Sequence, residues 1–252
     1  MGIASTASEQ GLRRKQEDRC LVHKFSTNKI DGWLLAVFDG HGGEMASEYC
    51  HSNIAKHFTP PVDVSKIQAT LQSTVARLAR ETAKFHPGTT LSAACIVENH
   101  DVVTVAVIGD SPIILANTDG LIWHSPKHNV GVNKKERDEA IARGASYDGD
   151  GYIGTAQYTD GGLQLSRSLG DAPFRSILSD IPDMYTMQKP SFVLITSDGI
   201  VDLTEDSQQE LDKVADIARR AANPTIGCLD ILAWRSKQRP LNDNATIVLW
   251  KR

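Results

Sequence analysis

Cysteine is scarce in these 252 residues, and the four present, Cys20, Cys50, Cys95 and Cys228, stand far apart with no CxxC pair. That spacing excludes a disulfide frame and a zinc site. It reads as the reduced thiols of an intracellular, cytoplasmic protein. Long hydrophobic runs are missing too. No stretch reaches the roughly 20 apolar residues of a membrane-spanning helix, and no basic-then-apolar leader opens the chain. Neither a transmembrane segment nor a secretory signal is expected. Positive charge is not in excess: 27 Lys and Arg face 31 Asp and Glu, for a net charge of -4, and the bases are scattered. Nucleic acid is therefore excluded as a main partner. There is no Pro/Ser-rich linker, low-complexity tract or fixed-period repeat, which favours one domain over residues 1–252 with a sizeable core. Nothing points to an obligate oligomer, so a monomer is expected. The opening Met1-Gly2-Ile3-Ala4-Ser5-Thr6 fits the short N-myristoylation pattern, which keeps a membrane contact through Gly2 in view.

What the chain does have is aspartate at the ends of apolar runs. Residues 37–44 read VFDGHGGE. The run Trp33-Leu34-Leu35-Ala36-Val37-Phe38 stops at Asp39, glycines at 40, 42 and 43 let the chain turn tightly around His41, and a helical pattern begins at about Glu44. Taken singly, this is an ordinary strand-to-helix turn with an acid near a helix start. The device recurs, however. Val107-Ile108-Gly109 runs into Asp110-Ser111, residues 192–197 run into Asp198-Gly199, and Asp243 stands just before the apolar run 245–250. Four strand-end aspartates from distant parts of one chain suggest one acidic site.

The periodicity gives the fold class. Residues 64–85 form the clearest helix, with Ile67, Leu71, Val75, Leu78, Thr82 and Phe85 stepping by four and three along one stripe. Further helices are expected over 44–58, 134–143 and about 225–237, and from Ser207, where Ser207 and Glu210 read as a capping box. Strands are expected at 20–25, 33–39, 91–98, 102–109, 113–118 and 192–197 and from 245, with residues 1–10 a candidate edge strand. Short turns such as Asn99-His100-Asp101 argue for antiparallel pairing. Helices before and after the strand groups point to an α+β fold, a central antiparallel β-sandwich flanked on both faces by helices, in four αββα layers. Residues 146–162 are rich in glycine and poor in apolar residues, which predicts a mobile surface loop.

Glu17, Asp39, Asp110, Asp198, Asp202 and Asp243, taken as one cluster, cannot all ionise side by side without a cation. Oxygen ligands without Cys favour Mg²⁺ or Mn²⁺ over zinc. Two such ions sharing carboxylates would activate a water for in-line attack on phosphorus. An arginine could grip the phosphate oxygens, and His41 could protonate the leaving oxygen. Arg13 and Arg14 both stand close to Glu17, and the run 11–18 also reads as a solvated charged turn.

Seven motifs in order then carry a resemblance: RRKQED at 13–18, VFDGHGG at 37–43, GTT at 88–90, IGDS at 108–111, LQLSRSLGD at 163–171, ITSDGIVD at 195–202 and NDNATIV at 242–248. The chain resembles the metal-dependent protein phosphatases of the type 2C family, over nearly its whole length. The resemblance implies hydrolysis of phosphoserine and phosphothreonine in phosphorylated proteins by a water activated by Mg²⁺ or Mn²⁺, without a phosphoenzyme. It implies that Asp39 bridges two catalytic metals, that Glu17 and the Gly40 carbonyl serve one, and that Asp198 and Asp243 serve the other. Arg13, four residues before Glu17, matches the family's phosphate-binding arginine, and His41 the general acid. Asp110 and Asp202, with Asp198, match a weaker third metal site, and Asp18 an acid behind the metal ligands that orients ligands or waters. Residues 146–162 fall where members carry a flap beside the substrate groove. Asp171 is expected to be architectural, and His51, His57, His86, His100, His124 and His128 to be surface or satisfied histidines.

Two departures stand out. Pro112 follows GDS where members commonly have arginine or a similar residue, which removes a backbone donor. Pro240-Leu241-Asn242 replaces a more polar approach to Asp243. The alternative to an active enzyme is a catalytically silent, phosphatase-like scaffold, but that kind usually loses ligand acids and every position assignable here keeps its acid. A hydrolase of small phosphoesters using the same centre is a further alternative.

Overall fold

Alternation sorts the side chains of β3 (Asp31–Phe38): Leu34, Ala36 and Phe38 face one layer, Leu35 and Val37 the other, and all five are fully buried. A strand covered on both faces reads as a continuous apolar run, which is what the sequence shows there. The structure, a computed structural model, describes residues 1–201 and 207–252, apart from the side chains of residues 159 and 160.

In one five-stranded sheet, β3 lies beside β2 (Arg19–Ser26) and β6 (Leu91–Val97); β7 (Val102–Ile108) and β14 (Asp183–Gln188) follow on the far side of β6. The other sheet runs β1 (Ile3–Glu9), β16 (Ala245–Lys251), β15 (Pro190–Thr196), β8 (Ile113–Asn117) and β9 (Ile122–His124). Every neighbouring pair is antiparallel, and β1 is the expected edge strand. Leu35, Val37, Ile96, Val105, Leu115, Val193, Val248 and Trp250 fill the space between the sheets. Helices α1 (Met45–His57) and α2 (Ile67–Thr82) cover the first sheet, with Ile54, Leu71, Val75 and Leu78 packed against Leu34, Phe38 and Ala93. On the second sheet, α4 (Ser207–Arg220) and α5 (Pro224–Gln238) place Leu211, Val214, Ala218 and Ile231 against Ile114, Leu194 and Leu249. The result is the expected αββα sandwich. Each large aliphatic side chain buried this way contributes roughly 1.5–3 kcal/mol.

Local chemistry sets the helix ends. Asn223 caps α5, its side chain accepting from Ile226 N–H at 3.0 Å, and Pro224 takes the first helical position, where no N–H is needed. Asn133 caps α3 (Lys134–Ala142), and Gly144 closes it at φ +103°.

One expectation needs correction, and two features of the sheets lay beyond the sequence reading. Strand 113–118 does not pair with strand 102–109; the chain crosses from one sheet to the other through residues 109–112, with Pro112 just ahead of β8 and its carbonyl accepting from Thr196 N–H at 3.1 Å. Residues 146–162 do not form an irregular loop. They build most of a three-stranded sheet of β10 (Ser146–Tyr147), β11 (Ile153–Thr155) and β12 (Tyr158–Leu163), anchored by Ile153 in a cluster with Val130, Ala140 and Phe174. Its glycines break the apolar alternation that would have shown the strands. Strand β14 was not expected at all, because its mostly half-exposed residues carry no strong period. Gly2, for its part, is buried with its N–H donated to Glu98, and a Cβ there would lie 2.3 Å from the Trp250 ring. That gives this glycine a packing role.

The topology brings the strand ends together. Strands β3 and β7 both run antiparallel to β6, so Asp39 and Asp110 leave that sheet at the same end. The crossing at 109–112 starts β8 at that end, where Ile113 faces Ile195 and Thr196 faces Ile247. There β15 finishes and β16 begins, which carries Asp198 and Asp243 to the same place.

Candidate active site

A cavity of about 600 Å³ opens at this end of the sandwich. Arg13, Glu17, Asp39, Gly40, His41, Asp110, Asp198 and Asp243 line it, with Arg14 beside them. Eight predicted site residues thus share one cavity. Asp18 is buried, with both carboxylate oxygens lacking a hydrogen-bond partner. Asp202 lies outside the described residues. Tyr152, Leu163, Gln164 and Leu165 form part of the wall, so the segment expected as a flap does border the cavity.

The GTT motif holds Asp39 by its backbone. Thr90 N–H donates to the Asp39 carbonyl at 2.9 Å, Thr90 Oγ1 accepts from Asp39 N–H at 3.1 Å, and Thr89 Oγ1 donates to the same carbonyl at 3.1 Å. Glu17 is fixed from two sides. Its N–H donates to Asn244 Oδ1 at 2.7 Å, and its carbonyl accepts from Ser47 Oγ at 2.5 Å. Asn244 Nδ2 also donates to the carbonyls of Gln10 and Lys15, both at 2.9 Å, so this residue ties the 10–17 loop to the start of β16. Gly40 must be glycine, since a Cβ would lie 2.5 Å from the Glu17 carbonyl oxygen.

The acids strain one another. Burial pushes the Asp39 carboxyl well above its ordinary value, and the charges of Asp198, Asp18, Asp110 and Asp243 add to it. Asp198 is raised in the same way by burial and then by Asp110, Asp243 and Asp18. Burial also raises Asp110, against a hydrogen bond from Asn129 Nδ2 at 2.9 Å. Burial works to lower the His41 imidazolium, but the Asp171 hydrogen bond and the surrounding negative charge outweigh it and hold it above the ordinary histidine value. His41 Nε2 meets Asp171 Oδ2 at 2.7 Å.

Among the described residues, no three Asp, Glu, His or Cys side chains are drawn together as a ready-made cage. Asp243 is held instead by Arg13 Nη2 at 2.5 Å. The donor set nonetheless fits a hard divalent ion: the carboxylates lining the cavity are oxygen ligands, Asp39 and Asp198 are raised by burial and neighbouring negative charge, Asp110 is raised by burial, and Asp18 adds two orphaned oxygens. Arg14 is exposed and makes no ion pair or hydrogen bond among the described residues.

Sequence reasoning expected Asp171, the last residue of the 163–171 motif, to be architectural, and passed over Asn244, Asn129 and Thr90. Asn244 and Thr90 did lie inside quoted motifs, as the residue after Asp243 and the last of GTT. His128 is buried and satisfied, accepting from Gly109 N–H on Nδ1 at 3.1 Å and meeting Asp183 through Nε2 at 3.1 Å.

With this geometry in place, the solved structures bear on the fold. A serine-threonine phosphatase 2C from Toxoplasma gondii superposes with a TM-score of 0.76 at 18% identity, covering 98% of this chain and 94% of that one. This chain therefore shares that protein's fold. The model of the family described as "Protein phosphatase 2C" matches residues 4–233, and the chain belongs to that family, a class of protein serine/threonine phosphatases. Protein phosphatase 1L of Bos taurus is 28% identical over 266 residues, covering 97% of this chain and 71% of the relative. A protein kinase and PP2C-like domain-containing protein of Arabidopsis thaliana is 25% identical over 256 residues, covering 95% of this chain and 37% of the relative. The chain thus spans only part of these relatives. No helix among the described residues is long and apolar enough to cross a membrane.

Proposed function

We propose that residues 1–252 act as one catalytic domain, a monomeric cytoplasmic phosphatase that hydrolyses phosphoserine and phosphothreonine in phosphorylated proteins. The observation that carries this reading is the convergence of Glu17, Asp39, Asp110, Asp198 and Asp243 on one cavity. Two divalent cations, Mg²⁺ or Mn²⁺, held by Glu17, Asp39 and the Gly40 carbonyl on one side and by Asp39, Asp198 and Asp243 on the other, would supply an activated water and neutralise charge on the phosphoryl group. Asp110 and Asp202 are the residues for a weaker third ion, and Asp18 orients ligands from below.

The remaining work belongs to side chains around the acids. Arg13 exchanges Asp243 for the phosphoryl oxygens, which its planar fork matches. His41 gives a proton to the departing serine or threonine oxygen, a role that typically contributes about 10²–10⁴-fold. The wall of Tyr152, Leu163 and Leu165 receives the substrate chain. A silent scaffold is disfavoured because Glu17, Asp39, Asp198 and Asp243 are all acids.

The test is phosphate release from a phosphothreonine peptide, with Mn²⁺ and with chelator. Wild-type turnover should require metal, and Asp198→Asn should reduce it by about 10²-fold or more. Well-folded wild type without metal-dependent turnover on several phosphopeptides would defeat the reading.

A further inference from the structure

Asp171 is a buried carboxylate that the chemistry above does not use. One of its oxygens, Oδ2, accepts from Ser168 Oγ at 2.5 Å and meets His41 Nε2 at 2.7 Å. An ionised carboxylate only accepts, so Nε2 carries the hydrogen.

Three features of the backbone serve this contact. The small sheet of β4 (Gly40–His41), β5 (Gly88–Thr89) and β13 (Leu169–Gly170) has β5 in the middle, which sets His41 and Gly170 on either side of Gly88. Gly88 then has to lack a side chain: a Cβ would lie 2.0 Å from Asp171 Oδ2 and 2.3 Å from His41 Nε2. Asp171 itself holds a left-handed φ of +49°, which a non-glycine residue keeps only where its surroundings impose it. Its N–H donates to the Pro87 carbonyl at 3.3 Å, and its own carbonyl accepts from Phe174 N–H at 2.8 Å. The strained residue, the bare glycine and the two-residue strands all lead to one hydrogen bond on His41.

We infer that Asp171 is the positioning residue of the general acid, forming an Asp–His dyad with His41, an inference that rests on the phosphatase reading above. With Nε2–H held by Asp171, Nδ1 carries the transferable proton. As the oxygen of the attacking water bonds to phosphorus and the bond from phosphorus to the serine or threonine oxygen breaks, the electron pair of the broken bond stays on the departing oxygen and the Nδ1 proton moves to it; phosphate leaves with the oxygen that water supplied. A neutral imidazole remains, with Nε2–H still on Asp171, and it regains its proton from water. Asp171 keeps this hydrogen bond throughout and fixes the ring's orientation and its tautomer.

Leaving groups separate this role from a structural one. A phosphothreonine peptide expels an alkoxide that needs a proton, whereas p-nitrophenyl phosphate expels a stable phenolate. With saturating Mn²⁺, Asp171→Asn should lower kcat on the peptide about 10- to 100-fold, within the span of general-acid effects, and change KM by less than about twofold. On p-nitrophenyl phosphate its loss should be below about threefold, and in a His41→Ala background it should cause no further loss on the peptide. Equal losses on both substrates, or losses that multiply with those of His41→Ala, would overturn the dyad. If Asp171→Asn does not fold, Ser168→Ala removes the second donor to Oδ2 and must show the same bias between substrates; an unbiased loss overturns the dyad as well. Wild-type turnover of p-nitrophenyl phosphate with Mn²⁺ separates the two levels. Its absence defeats the phosphatase reading and the dyad with it, and its presence with an undiscriminating Asp171→Asn defeats the dyad alone.

Discussion

Arg13 and Asp243 hold each other at the mouth of the cavity, with 58% and 38% of their side chains exposed. An ion pair this open contributes at most about 1 kcal/mol, because water screens it and two long side chains must be ordered to form it. It is weak enough to yield. A phosphoryl group offers the guanidinium several charged acceptors, whereas Asp243 engages one nitrogen. Arg13→Ala should therefore raise KM for a phosphothreonine peptide about tenfold, the low end for a charge-assisted hydrogen bond, with a smaller effect on kcat. Arg14→Ala, which removes an unpaired guanidinium from the same wall, should raise KM less than about threefold. Steady-state kinetics of the two variants side by side decides between them, and the opposite ranking would make Arg14 the phosphate-binding arginine.

At the scale of elements, the site depends on how closely β15 and β16 approach. Gly199 follows Asp198, and a Cβ there would lie 1.9 Å from the Asn244 carbonyl oxygen, beside Asp243. No side chain can retreat to relieve that contact, because both partners are backbone. Gly199→Ala should cost about 1–3 kcal/mol, as overpacking does, and should weaken Mn²⁺ binding by moving Asp198 away from Asp243. Urea unfolding in chelator and calorimetric titration with Mn²⁺ would measure the two effects. Gly161→Ala, whose Cβ would meet nothing within 4 Å, is the control and should stay within about 0.5 kcal/mol. Elements with a strong period were legible in the sequence. The α2 stripe and the apolar runs of β3, β6 and β7 announce themselves, and Asp39, Asp110, Asp198 and Asp243 stand out because each ends or precedes such a run. The two-residue strands β4, β5 and β13 carry no period. The contact of Asp171 with His41 escaped for that reason, since its partner is a histidine 130 residues away. Residues 146–162 misled in the opposite direction, because glycine breaks the alternation of a strand without preventing its pairing.

At the scale of the whole molecule, the sandwich concentrates negative charge at one end and the fold bears the cost. Asp39 and Asp198 are raised in the folded chain, so over the window from the ordinary carboxylate value near 4 up to their raised values the folded state binds more protons than the unfolded one. Stability contributed by these groups is then fully present below that window and is lost as pH rises through it. In chelator, thermal unfolding should therefore show this contribution declining as pH rises above the ordinary carboxylate value. A bound cation reverses the balance, since it favours the ionised carboxylates and binds only the folded chain. Mn²⁺ at about 100 times its Kd should add about 2.7 kcal/mol, or about 5–10 °C in Tm for a chain of this size, and should flatten the decline with pH. Asp198→Asn removes one buried charge. It should raise the Tm in chelator by about 2–4 °C, equivalent to about 1 kcal/mol, while most of the Mn²⁺ gain disappears. A wild-type Tm that does not respond to Mn²⁺, or an Asp198→Asn variant that melts below wild type in chelator, would show that the carboxylates do not repel one another through a shared ion site.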